Sequence, residues 1–110
     1  MKVAVIGSRR LWLDDLGEYL PKSTEEIVSG GAKGIDTCAK EYAEKHGIKY
    51  TEFRPDYRRF GRGALLKRNL QIIEYADRVI AVWDGKSRGT RYVVDRCSEL
   101  KKPITVVLIE

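Results

Sequence analysis

Residues 26–47 read EIVSGGAKGIDTCAKEYAEKHG, and the reading of this stretch decides the fold. Glu26 to Ser29 has the character of a short buried strand. From Ile35 the apolar positions fall at Ile35, Cys38, Ala39, Tyr42, Ala43 and His46, the i, i+3, i+4, i+7 spacing of an amphipathic helix, and Gly47 closes it. Between the two lie Gly30, Gly31 and Gly34, just ahead of a helix N-terminus, where unpaired backbone N–H groups and the helix dipole attract anions.

The same alternation extends in both directions. Lys2 to Ile6 is an apolar run ending at Gly7, as a parallel strand covered on both faces requires. Leu11 to Leu20, with Leu13, Leu16, Tyr19 and Leu20 at helical spacing and Pro21 as a stop, predicts a first helix. Ile48 to Phe53 reads as a third strand, and the run from Pro55 to Gly63 as a long basic connection. A helix over Leu65 to Ala76, a strand over Arg78 to Trp83, a helix over Thr90 to Lys101 and a strand over Ile104 to Ile109 complete the series. The expectation is an α/β, Rossmann-like three-layer sandwich with a five-stranded parallel sheet, right-handed crossovers and strand order 3-2-1-4-5, formed by one domain over residues 1–110. Ligands of such sheets bind where the order reverses, above the carboxyl ends of the strands.

A chain of 110 residues can bury one core but has no room for a second lobe. The four-residue apolar run before Arg9 and Arg10 is too short for a signal peptide, and no segment approaches membrane-spanning length. Cys38 and Cys97 have no metal-ligand or CxxC spacing and read as reduced thiols, so a cytoplasmic location without membrane contact is expected. His46 has no Ser, Cys or Asp partner placed by spacing, and no metal or resident cofactor is implied. Trp12, Tyr42 and Tyr75 read as core or interface residues. The net charge of +5 is concentrated: Arg54, Arg58, Arg59, Arg62, Lys67 and Arg68 stand against the single acid Asp56, and the rest of the chain is balanced. An anionic partner near that stretch follows from the imbalance.

Three strand-to-helix loops carry the candidate chemistry. In Ser29-Gly30-Gly31-Ala32-Lys33-Gly34-Ile35-Asp36 the glycines let the backbone approach a phosphate, while Asp36 either caps the helix or meets a ligand hydroxyl. The loop lacks the Gly-Lys-Ser/Thr of a Walker A motif and is not a GxGxxG fingerprint. Trp83-Asp84-Gly85-Lys86-Ser87-Arg88-Gly89-Thr90 repeats the anion-binding logic with Ser87, Gly89 and Thr90, although Thr90 also fits as a helix cap. Gly7-Ser8-Arg9 adds a hydroxyl and a guanidinium. Arg68 adds charge, and Asn69, set among Leu65, Leu66, Ile72 and Ile73, either ties down neighbouring loops or touches ligand.

The pattern of these loops resembles the SLOG superfamily and, within it, the small YspA/YpsA-related branch. The stretch Ser29 to Asp36 looks like the family's Gly-rich motif, and Lys67-Arg68-Asn69, Ala76 to Gly85 and Ser87 to Thr90 are similar to its second half. The resemblance implies a sensor or binding module for a nucleotide or nucleotide derivative, and pairing of two copies, for which the sequence shows no interface. Two relatives supply alternatives. The LOG-type phosphoribohydrolases carry PGGxGTxxE; here the Pro-Gly-Gly opening is missing and Val93 stands where the catalytic acid would be. Asp95 lies roughly 200° further around the helix. DNA-processing protein A uses a similar loop for single-stranded DNA, and here Tyr57 and Phe60 are interleaved with Arg58, Arg59 and Arg62, a pattern suited to stacking bases and neutralising phosphates.

Overall fold

The computed structural model describes residues 1–109, so Glu110, the last residue of the expected domain, lies outside the described residues. Five strands, β1 (Lys2–Gly7), β2 (Glu26–Ser29), β3 (Lys49–Glu52), β4 (Arg78–Trp83) and β5 (Ile104–Leu108), pair in parallel in the order β3-β2-β1-β4-β5. Register is set by the apolar runs: Val3 pairs with Ile27, Val5 with Ile80 and Val82 with Val107. The fold class and strand order are as the sequence predicts.

Side chains alternate across the pleat, so each central strand feeds two cores. On one face Val3, Val5, Ile27, Ile80 and Val82 meet Ile35, Ala39 and Ala43 of α1 (Ile35–His46). On the other, Ala4, Ile6, Val28 and Val79 meet Ile72 and Ile73 of α3 (Ala64–Tyr75) and Val93 and Cys97 of α4 (Arg88–Leu100). Most of these residues are wholly buried, and each buried aliphatic side chain contributes about 1.5–3 kcal/mol by leaving water. Helix α1 ends at Gly47 in the left-handed conformation, φ 66°, whose N–H bonds Ala43 O.

One expected element does not form. Leu11 to Leu20 is not an α-helix but an irregular connection of turns with a single 3-10 turn at Leu16–Glu18. Leu11, Leu13, Tyr19 and Leu20 pack on the α1-side core and Leu16 is inside it, so the apolar spacing reports a segment draped over the sheet. Asp14, Asp15 and Gly17 are poor helix formers, the Leu13 carbonyl is taken by the Cys38 thiol at 2.9 Å, and a side chain at position 17 would strike Tyr42. The three layers persist with this segment beside α1.

The basic connection is more ordered than expected: α2 (Tyr57–Phe60), a single turn capped by Asp56 accepting from Arg59 N, leads through a 3-10 turn at Gly61–Gly63 into α3. Cys38 and Cys97 are free and buried, and burial pushes the Cys97 thiol up to about 11. Among the described residues no helix is long and apolar enough to cross a membrane.

Candidate functional site

From β1 the chain turns to β2 and β3 on one side, and from β4 to β5 on the other, which leaves a crevice above the carboxyl ends of β1 and β4. A cavity of about 610 Å³ occupies it, a size suited to a small-molecule ligand. Gly7, Ser8 and Arg9 line it from the β1 loop, Gly30 and Asp36 from the β2 loop. Arg68 and Asn69 line it from α3, and Asp84, Ser87, Gly89 and Thr90 from the β4 loop and the start of α4. Four expected residues stay outside the lining: Ser29, Gly31, Gly34 and Trp83.

The β2–α1 loop is largely consumed by internal contacts. Ser29 is wholly buried and donates from Oγ to Val5 O at 2.7 Å, tying β2 to β1. Arg68 reaches across from α3 to donate from Nη1 to Gly30 O at 2.7 Å and Phe53 O at 3.2 Å, while its Nε donates to Asn69 Oδ1 at 2.9 Å. Asn69 therefore orients Arg68. A Cβ at Gly30 would overlap the Arg68 guanidinium, which its bonds to Gly30 O, Phe53 O and Asn69 hold in place, so a side chain there is disfavoured. Gly31, at φ +76°, faces the Glu52 carboxylate, and Gly34, at φ +71°, presses against the Arg9 and Ser8 carbonyls. Both conformations belong to glycine, and both serve the approach of the chain to itself. Ser8 O also accepts from Ile35 N at 3.5 Å, which lays the β1 loop over the start of α1.

The β4–α4 loop is built differently. Asp84 Oδ1 accepts from the N–H groups of Lys86 and Ser87, both at 2.8 Å, and these bonds hold its carboxyl below the ordinary range. Trp83 Nε1 donates to Ser87 O at 3.1 Å, so Trp83 braces the loop from behind. Helix α4 starts two residues earlier than the spacing predicts, with Ser87 at the N-cap and no side-chain cap bond. Thr90 lies in the first turn, 2 % exposed, its Oγ1 3.4 Å from Ser87 Oγ, rather than at the cap position. The first N–H groups of a helix lack intrahelical partners; at α4 these belong to Arg88, Gly89 and Thr90, residues that line the cavity, and no side chain caps the helix. A Cβ added at Gly89 meets no protein atom within 4 Å.

Six cationic side chains line the cavity, Arg9, Arg10, Arg62, Arg68, Lys86 and Arg88, against the carboxyls of Asp36 and Asp84. Ile6, Leu65, Leu66 and Ile72 give one apolar wall, and Leu66 is 44 % exposed. Sequence reasoning did not assign Arg10, Ala32, Lys86 or Arg88 to the site; the last two lay in plain view inside the β4 loop. It also left the apolar wall unassigned, and an exposed leucine at position 66 is the signal that could have found it.

Two buried polar atoms of residues lining the cavity have no partner among the described residues: Ser8 Oγ and Asp36 Oδ1. Each residue is 4 % exposed. Asp36 Oδ2 accepts from Ala32 N at 3.1 Å, which folds the loop back on itself but leaves the other oxygen bare. Burial pushes the Asp36 carboxyl up from its ordinary range, opposed by the Ala32 N–H, the neighbouring Ser29 hydroxyl, whose proton is given to Val5 O, and the Arg68 charge. The same burial pulls the Arg68 guanidinium down, opposed chiefly by Asp36.

Val93, where a phosphoribohydrolase would carry its acid, is wholly buried in the α4-side core. Asp95 is exposed and lies 3.9 Å from Arg91 on the outer face of α4.

Compared with known proteins, residues 1–60 match the model of a family described as "YspA, cpYpsA-related SLOG family". No curated protein and no solved structure matches the chain. The matched residues run from β1 through α2 and contain the β1 and β2 loops of the cavity together with the Gly-rich turn. By that match, which covers more than half of its length, the chain belongs to the YspA, cpYpsA-related SLOG family.

Proposed function

We propose that this protein binds a phosphorylated, nucleotide-derived ligand in the cavity above β1 and β4 and acts as a binding or sensing module. Membership of the SLOG family carries a nucleotide-related binding or processing role. The observation that carries the finer reading is the uncapped N-terminus of α4 at the wall of a cavity with six cations. Backbone N–H groups and the helix dipole both favour a phosphate there. In this reading the N–H groups of Arg88, Gly89 and Thr90 hold the phosphate, Lys86 and Arg62 supply counter-charge, and a base lies against Leu65, Leu66 and Ile72. The buried valine at position 93 argues against hydrolysis by a LOG-type acid.

The test is a calorimetric screen of nucleoside monophosphates, NAD, ADP-ribose and cyclic nucleotides, repeated on Gly89→Val. A Cβ at position 89 meets no described protein atom within 4 Å, so the variant is expected to keep its fold while its methyl groups crowd the proposed phosphate position. The expected result is saturable binding to the native chain, weakened by about tenfold or more, at least 1.4 kcal/mol, in the variant. Absence of binding across the screen, or equal binding by the two proteins, would overturn the proposal. Salt-sensitive binding of an oligodeoxynucleotide alone, lost when Arg58 and Arg59 are neutralised, would move the function to single-stranded DNA.

A further inference from the structure

Resting on that reading of the cavity, we infer that Ser8 and Asp36 form a hydroxyl-reading subsite that makes the ligand a ribonucleotide derivative rather than a deoxyribonucleotide. Buried polar groups in native proteins are almost always paired, and an orphan calls for an explanation. Here two orphans occur on adjacent loops, Ser8 Oγ from β1 and Asp36 Oδ1 from the start of α1, both in residues that line the cavity. Nothing local obliges either to be bare. Asp36 already secures the turn with its other oxygen on Ala32 N, so a residue with one acceptor would serve the fold as well. An alanine at position 8 would spare the buried hydroxyl altogether.

The chemistry of the pair selects its partner. An ionised carboxylate oxygen accepts and cannot donate, whereas a serine hydroxyl does either. A ligand group that satisfies both must therefore present at least one donor to Asp36 and a second hydroxyl, or an acceptor, to Ser8. The 2′ and 3′ hydroxyls of a ribose do this with one group for each atom, whereas a 2′-deoxyribose has a single hydroxyl, which must give its proton to Asp36 and accept from Ser8 at once. Position agrees with chemistry. Strand β1 lies between β2 and β4, and Ser8, Asp36 and the first residues of α4 all line the one cavity above them. Arg68, fixed by Gly30, Phe53 and Asn69, lies on the same cavity wall as Asp36 and its charge opposes the effect of burial on that carboxyl.

The experiment titrates the four common ribonucleoside 5′-monophosphates and their 2′-deoxy counterparts into the native chain, Ser8→Ala and Asp36→Asn, with thermal melting of each protein alongside. A site built to bond a hydroxyl rejects the analogue lacking it because the buried group is left unpaired. The expected result is a preference of about tenfold or more for the ribo form of the tightest-binding base, collapsing to about twofold or less in at least one variant. Ser8→Ala is expected to melt no lower than the native chain, since it removes an orphan hydroxyl. Equal binding of ribo and deoxy forms would overturn the subsite and leave the proposed function standing. A preference that survives in both variants, or a large destabilisation by Ser8→Ala, would also overturn it. Binding of neither series would overturn the subsite, and the proposed function falls with it only where NAD, ADP-ribose and cyclic nucleotides also fail to bind.

Discussion

The β2–α1 and β4–α4 loops have the same ingredients and opposite uses. Each leaves the end of a central strand, carries glycines and enters a helix N-terminus. In the first, Arg68, Glu52 and the Ser8 and Arg9 carbonyls crowd the space beside Gly30, Gly31 and Gly34. In the second, Asp84 ties back the two N–H groups ahead of the helix, and no protein atom lies near Gly89. A glycine-rich turn thus has two physical meanings, close approach of the chain to itself or close approach to something else. Only the neighbours of the missing Cβ tell them apart.

The largest expected effect separates the glycines. Gly34→Val places a side chain 2.5 Å from Arg9 O at φ +71°, which costs about 3 kcal/mol or more in backbone strain and overlap. Chemical denaturation measures this directly, and native-like stability would remove the claim that this glycine serves packing. Gly89→Ala acts the other way. In an exposed first turn of α4, alanine is expected to stabilise the chain by about 0.5–1 kcal/mol, read as a higher denaturation midpoint. A loss of stability would mean that Gly89 has a folding role and that the two loops are more alike than their geometry indicates.

The smallest effect concerns Asp36, the one carboxyl the glycine loop buries at the cavity. Its folded pKa is raised above 3.8 by burial. Below 3.8 both folded and unfolded chains carry it protonated. As pH rises through the folded pKa, the folded chain must ionise a buried group that the unfolded chain ionises freely, so stability falls across that window and is level above it. Carboxyls held low, such as Asp77 on Lys2 N and Asp84, act in the opposite direction but are common to the native chain and Asp36→Asn. The stability difference between these two proteins is therefore expected to shift in favour of Asp36→Asn as pH rises from about 4, followed by denaturation at a series of pH values. A pH-independent difference would show that the carboxyl is solvated.

Strands β2 and β4 and helix α1 were legible to the residue, because buried parallel strands are apolar on both faces and α1 keeps a helical stripe ended by Gly47. The segment from Leu11 to Leu20 was not. An irregular chain has no burial period of its own, so turns that place Leu13, Leu16 and Tyr19 on the core reproduce a helical spacing by chance. The cavity loops were legible as chemistry, since glycine, hydroxyl and basic residues stand out after apolar runs. Their occupancy was not, because it depends on partners far along the chain: Arg68 meets Gly30 across 38 positions. The basic stretch from Arg54 to Arg68 shows the same limit. Its residues divide by direction, Arg68 into the fold, Arg62 to the cavity and Arg58 and Arg59 outward on α2, and direction is a property of tertiary structure.

The most direct test of the contrast between the loops is a two-dimensional ¹⁵N–¹H spectrum recorded while a mixture of nucleoside 5′-monophosphates is added at millimolar concentration. The account predicts that the amides of Arg88, Gly89 and Thr90 move most, with those of Ser8 and Asp36 following, while Gly31 and Gly34 hold their positions. Shifts centred on Gly31, Lys33 and Gly34 with the α4 N-terminus unmoved, or no shifts at all, would contradict it.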